Sequence, residues 1–247
     1  MTDAGAISWF EFVKRADANV PIILPIGAFE QHGPHLPLAT DAIIAAALGG
    51  AIADGAEGLT LPVLSYGAPS RPRSGGGDLF PAPAVDIETL LATVQSVVAG
   101  AVGAGARRIV VLSWHYENQS VLWDAAWRAL TGTESAKALV FADPWQLISD
   151  DVYLDLLPPG LGRVDPAAGH AGFLETGIMR ALAPHLVGQP SSPVSFRPRQ
   201  YDVLPTPRDA VPETGVVYDA GSVAAEAGQR CFDAMVSAIT DAIAAEG

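Results

Sequence analysis

Cysteine is nearly absent from this chain of 247 residues: Cys231 stands alone. No disulfide can form within the chain, so its core must hold it together. Cys231 falls in a helical pattern near the C-terminus and reads as a small core residue rather than a nucleophile. Basic residues are also scarce. Against 27 Asp and Glu there are only 14 Lys and Arg, a formal net charge of −13. Phosphate binding needs a basic surface, so this balance argues against a nucleic-acid partner and against an anionic membrane surface. No apolar run reaches the ~18–20 residues of a membrane span. No basic segment followed by an apolar stretch opens the sequence, which starts Met1-Thr2-Asp3; a cytoplasmic location is expected. No repeat, low-complexity tract or linker divides the chain, and one domain over residues 1–247 is expected. A domain of this length buries roughly three quarters of its unfolded surface, enough for a full core.

What is present is an alternation of short apolar runs with helical patterns. Residues 21–26 are apolar without polar alternation, as in a strand buried on both faces of a parallel sheet. Residues 59–64, 107–112 and 138–141 read as further strands. Helices are expected at 7–16, 41–53 (weakened by Gly49-Gly50), 86–103, 121–130, 175–184 and 222–245. Residues 155–170 read as a Pro- and Gly-rich loop, and 188–220 as ordered loop and edge structure. This pattern predicts the α/β class: a single-domain α/β/α sandwich with a mostly parallel central sheet. Ligands of such sheets bind beyond the carboxyl ends of the strands.

The two densest polar motifs stand there. Glu30-Gln31-His32-Gly33-Pro34-His35 follows the first strand, with Asp41 at the start of the next helix. His115-Tyr116-Glu117-Asn118 follows the strand at 107–112. Glu30 and His32 are two apart, as are His115 and Glu117, so in extended backbone each pair points to one side. Two Glu, two His and one Asp exceed the needs of one zinc with an open position, which takes about three protein ligands. They suit two divalent ions with a carboxylate between them, and N/O ligands without thiolate favour Zn²⁺ or Mn²⁺. Such a pair activates water for hydrolysis. Plainer roles exist for each residue. Asp41 could be only a helix cap, Glu30 a loop carboxylate, and Glu175 a first-turn acid complementing its helix dipole. His35, after a proline and without a matching partner, reads as a supporting or structural residue. Trp145 could wall a flat substrate or pack in the core. His170, flanked by Gly169 and Gly172, could protonate a leaving nitrogen. Ser74-Gly75-Gly76-Gly77 could form a lid or an anion nest.

Leu24-Pro25-Ile26-Gly27-Ala28-Phe29-Glu30-Gln31-His32-Gly33-Pro34-His35 resembles the signature of the creatininase (creatinine amidohydrolase) family. His115-Tyr116-Glu117-Asn118 resembles the form found in creatininases proper more than in remote members. Tyr66-Gly67, Ser74-Gly75-Gly76-Gly77, Phe80-Pro81, Gly169-His170-Ala171-Gly172, Glu175-Thr176 and Tyr201-Asp202-Val203-Leu204-Pro205 come in the family's order. The resemblance implies that Glu30, Asp41 and His115 hold one metal ion and that His32, Asp41 and Glu117 hold the other. It implies His170 as the proton-transfer residue, with Glu117 placed in both the metal and the catalytic sets. Ser74, the Tyr116 main chain and Trp145 would surround the substrate, and Glu175 and His35 would support the ligands. It also implies hexamers built as trimers of dimers.

Two departures stand out. Asp165-Pro166-Ala167-Ala168-Gly169 precedes His170 where creatininases carry a substrate-contacting Trp–Asp pair, the matching positions being Pro166 and Ala167. Ser113-Trp114 replaces the usual Asn–Gly before His115. The metal chemistry survives both changes; the substrate is what they put in play. The expected function is a binuclear metal-dependent amidohydrolase cleaving a C–N bond of a cyclic amide, creatinine or a close analogue, by a metal-bridging hydroxide. The alternatives are a formamide deformylase, a peptide-trimming hydrolase, a hydrolase opening a cyclic keto-inositol, or a non-catalytic metal-binding subunit.

Overall fold

The structure, a computed structural model, describes residues 2–72, 76–77, 79–80, 82–157, 169–190, 199, 201–207 and 209–247. Four strands, β1 (Ile22–Ile26), β2 (Leu59–Thr60), β3 (Arg108–Ser113) and β4 (Lys137–Phe141), form a sheet in the order β2-β1-β3-β4. Every pairing is parallel, with Ile22 opposite Leu59 and Ile109, and Arg108 opposite Lys137. Parallel neighbours need crossover helices, and these cover both faces. Seven α-helices are described: α1 (Trp9–Asp17), α2 (Thr40–Gly55), α3 (Ile87–Gly103), α4 (Gln119–Leu130), α5 (Asp150–Leu154), α6 (Phe173–Leu182) and α7 (Ala225–Ala245).

The strand period of two sorts the side chains. Ile22, Leu24, Ile26, Ile109 and Val111 point into a core shared with α1, α3 and α4. Ile23, Val110 and Leu112 point the other way, into a core shared with α2, α5, α6 and α7. The expected α/β/α sandwich is therefore the observed architecture. Cys231 is fully buried in the second core, where burial pushes its thiol up to about 11.

Some elements differ from expectation. The strand expected at 59–64 is only Leu59–Thr60 with an isolated bridge from Leu64 to Ile26. Pro62 has no N–H to offer a ladder between them. Helix α2 runs unbroken through Gly49-Gly50 to Gly55, because a bare Gly49 lets it close on Pro25; a Cβ there would lie 3.1 Å from the proline ring. Helix α5 forms just ahead of a stretch expected to be loop. The described parts of 188–220 contain no strand. Two close approaches of bare backbone set the spacing between elements. A Cβ on Gly27, directly after β1, would meet Ala42 N at 2.4 Å and Asp41 C at 2.7 Å, and one on Gly228 of α7 would meet Gly177 of α6 at 2.0 Å.

Candidate metal centre

Two helix starts and two strand ends converge on one buried point. Asp41 lies in the first turn of α2, and Glu175 in the first turn of α6. The partial positive charge of a helix N-terminus favours a carboxylate at each place. Asp41 is not the cap of its helix, since Ala39 takes that position without a side-chain bond. Its carboxylate faces two imidazoles instead: Oδ1 is 3.2 Å from His32 Nε2 and Oδ2 is 3.2 Å from His115 Nδ1. Glu30 Oε1 lies 3.1 Å from His115 Nδ1, and Glu175 Oε1 lies 3.7 Å from His32 Nε2.

Each of the three imidazoles is held from behind. His32 Nδ1 lies 3.3 Å from Glu30 O, His115 Nε2 lies 2.9 Å from Ala68 O, and His170 Nε2 lies 2.7 Å from Gln31 O. A main-chain oxygen only accepts, so each of these nitrogens carries a hydrogen. The other nitrogen of each ring turns toward the carboxylates. This tethering is what metal-bound histidines require. Glu30 Oε2, His32 Nε2 and Asp41 Oδ2 are buried with no hydrogen-bond partner among the described residues. His32 Nε2 and Asp41 Oδ2 meet charged neighbours at 3.2 Å without hydrogen-bond geometry; a buried polar atom without a hydrogen bond is costly, and a cation among the three would offset that cost.

Among the described residues, three groups bring ligand atoms within 4.8 Å of one another: Glu30, Asp41 and His115; His32, Asp41 and Glu175; and Glu30, His32 and His170. Asp41 joins the first two. Glu117, expected beside His32 and Asp41, is in none of them. Its Oε2 lies 3.4 Å from His115 Nε2, the ring atom facing away from Asp41, and its Oε1 accepts from Arg71 N at 2.9 Å. The reason is local: Tyr116–Asn118 is a 3₁₀ turn, so the two-residue alternation of extended backbone stops at His115. Glu175 stands with His32 and Asp41 instead. The signal that could have found it is its place in the first turn of a helix, the same place as Asp41.

The charges answer one another. Burial alone would lower the pKa of His32 and His115, yet the carboxylates of Asp41 and Glu175, and of Glu30, hold both imidazoles well above their ordinary value. Burial raises the carboxyl pKa of Glu30, Asp41 and Glu175, but the neighbouring imidazoles outweigh it and hold all three low. His35 stays neutral, pushed to about 4 by burial and by Arg180; its Nε2 meets Thr176 Oγ1 at 2.9 Å, behind the centre.

A cavity of about 40 Å³ opens on these residues, walled by Trp114, Tyr116, Glu117, Trp145, Gly169, His170 and Leu174. Trp145 therefore packs in the core and lines the cavity at once. Ser74, Pro166 and Ala167 lie outside the described residues. Two contributors were missed from sequence. Gln31 donates to Gly76 O and Gly215 O and accepts from Gly33 N, fastening three segments around the centre. Ala171 takes φ 51°, a left-handed conformation that is costly without glycine; its N–H meets Glu175 Oε2 at 2.6 Å.

Comparisons with known proteins give the family. The family model described as creatinine amidohydrolase matches residues 5–243. A creatinine amidohydrolase of Pseudomonas putida is 33% identical, over 98% of this chain and 96% of that protein. A mycofactocin precursor peptide peptidase of Mycolicibacterium smegmatis is 31% identical, over 93% of this chain and 87% of its own length. A crystal structure of creatininase superposes with a TM-score of 0.92 at 32% identity, covering 99% of this chain and 97% of that one. Two other solved creatininases, a manganese form and a variant of the Zn–Zn type, give TM-scores of 0.90 and 0.92 at 32% and 31% identity, each over 99% of this chain and 98% of its own. In motif order, in fold and over nearly its whole length, the chain belongs to the creatininase family of hydrolases.

Proposed function

We propose that this chain is a binuclear metal-dependent amidohydrolase that cleaves a C–N bond in a cyclic amide, creatinine or a close analogue. The observation that carries this reading is the set of three imidazoles, each tethered by one nitrogen to a main-chain oxygen and turned by the other toward buried carboxylates. Glu30, Asp41 and His115 would hold one ion, and His32, Asp41 and Glu175 the second; Zn²⁺ or Mn²⁺ fits this N/O set. Bound there, the ions would polarise the amide carbonyl and supply activated water. Asp41, the one carboxylate in both groups, keeps the two sites in register. The Trp145 indole and the Tyr116 main chain flank a flat ring in the cavity. His170 hands a proton from Nδ1 to the departing nitrogen, while Gln31 O keeps Nε2 engaged. Glu117 fixes the orientation of His115 from the far side.

A second reading, trimming of a peptide, is favoured by one feature. A mostly apolar cavity of about 130 Å³, walled by Phe29, Pro69, Phe80, Ala82 and Ala84 among others, also reaches Glu30. It suits an amide with an apolar side chain. A panel of creatinine, formamides and short peptides, assayed with Mn²⁺ and Zn²⁺ added to metal-free protein, separates the readings. Turnover of creatinine supports the first, turnover of peptides alone supports the second, and failure to bind any ion overturns both.

The reading also includes a cytoplasmic homo-oligomer, a hexamer by family resemblance. No helix among the described residues is long and apolar enough to cross a membrane. Trp123 and Trp127 stack with centroids 6.1 Å apart on the exposed side of α4, next to edge strand β4. They are the apolar face such an assembly would cover. Sedimentation analysis of the parent and of Trp123→Ala tests it.

A further inference from the structure

Trp114 is the least expected residue at the centre. It follows the last residue of β3 and is fixed by its main chain, with N donating to Ile26 O at 2.9 Å. Its neighbour His115 meets Glu30 and Asp41, whereas the Trp114 side chain meets Glu175. The indole Nε1 donates to Glu175 Oε1 at 3.2 Å. One strand end thus touches both candidate ion groups, through adjacent residues.

The Trp114 ring has little freedom. It is 2% exposed and stands edge-on to Trp145, with centroids 5.4 Å apart and planes at 86°. The carboxylate it meets would otherwise be loosely defined, because the terminal torsion of a glutamate is broad. Glu175 Oε2 is held by Ala171 N at 2.6 Å. One donor on one oxygen leaves the carboxylate free to rotate about that contact. A second donor on the other oxygen fixes its plane. Oε1, the oxygen that takes the indole hydrogen, is also the one 3.7 Å from His32 Nε2, and a carboxylate oxygen has a further lone pair for a cation.

We propose that Trp114 is a positioning residue: its indole N–H orients Glu175 and so sets the affinity of the His32–Asp41–Glu175 group for its ion, leaving the Glu30–Asp41–His115 group unaffected. The proposal rests on the binuclear reading of the centre. Hydrogen bonds to metal ligands are typically worth 10–100-fold in affinity.

The test is calorimetric titration of metal-free protein with Mn²⁺, repeated with Zn²⁺. Trp114→Phe keeps most of the ring and removes the donor. It is expected to weaken one of two binding events by about 10–100-fold and leave the other within about twofold. Glu175→Gln and the Glu175→Gln/Trp114→Phe double variant close a thermodynamic cycle. If Trp114 acts through Glu175, the second change adds no further loss. A packing role predicts instead that the losses add and that both events weaken. Unchanged binding in Trp114→Phe, additive losses in the cycle, or equal weakening of both events each overturns the proposal while the binuclear reading stands. A parent protein that binds no ion overturns both.

Discussion

His170 Nε2 lies 2.7 Å from the main-chain oxygen of Gln31, and this contact decides which atom of the ring can do chemistry. Nε2 is committed as a donor, so Nδ1, 3.8 Å from Glu30 Oε1, is the atom left to exchange a proton. His170→Ala is expected to lower turnover by about 10²–10⁴-fold with both ions retained. Elemental analysis of the purified variant alongside its kcat checks this. Loss of an ion together with turnover would make His170 a ligand, a role that its group with Glu30 and His32 would allow.

Among the described residues, Asp41 is the only carboxylate in both the Glu30–His115 and the His32–Glu175 groups. Asp41→Asn should therefore lose both ions and all turnover. Glu175→Gln should weaken the hold on one ion and lower its occupancy. Glu117→Gln, altered on the far side of His115, should keep two. Metal-to-protein ratios after gel filtration rank the three variants. One ion in Glu117→Gln and two in Glu175→Gln would restore the ligand set implied by family resemblance.

Stability of the metal-free protein should depend on pH from both sides. The imidazoles of His32 and His115 are held high, so their contribution is complete below about pH 6.5, the ordinary imidazole value, and fades as pH rises through their folded values. The carboxylates of Glu30, Asp41 and Glu175 are held low, so theirs is complete above about pH 4 and fades as pH falls through their folded values. Thermal unfolding of the chelated protein should peak between these limits. With ions bound, the alkaline decline should flatten, because cations take over the neutralising role of the imidazole protons. A midpoint temperature that does not vary with pH in chelator would contradict this account.

Helix α7 reaches α6 through bare backbone, a Cβ on Gly228 falling 2.0 Å from Gly177. Gly228→Ala must push α6 outward. Overpacking of this kind costs about 1–3 kcal/mol, and about 2–4 °C in Tm per kcal/mol for a chain this size. Since α6 carries Glu175, ion affinity should fall too. Differential scanning calorimetry and metal titration measure the two effects, and an unchanged Tm would show that the helix pair can relax.

Much of this was legible in the sequence, for local reasons. Ile22 to Ile26 and Ile109 to Leu112 declare buried strands by their unbroken apolar character. Polar motifs directly after such strands declare a site. Legibility failed where geometry departs from the local rule. That Glu175, not Glu117, stands within reach of His32 and Asp41 turns on a 3₁₀ turn that no residue type announces. The hold of Trp114 on Glu175, and the seat of Gly228 on Gly177, join residues distant in the chain. Neither has a period or motif that would reveal it before folding.

Gly27 has a consequence of another kind. Immediately after β1, its main chain rests on the main chain of Asp41 and Ala42. Elsewhere around the centre, side-chain layers can repack to absorb a change in volume; between these two segments nothing is compressible. The distance from the Glu30 loop to the Asp41 turn is thus a property of the backbone, independent of rotamers. That separates two evolutionary currencies. Selection for a new substrate can remodel Tyr116, Trp145 or Leu174 while the chemistry stays in place, because the gauge that spaces the ligands is not built from the residues that would have to change.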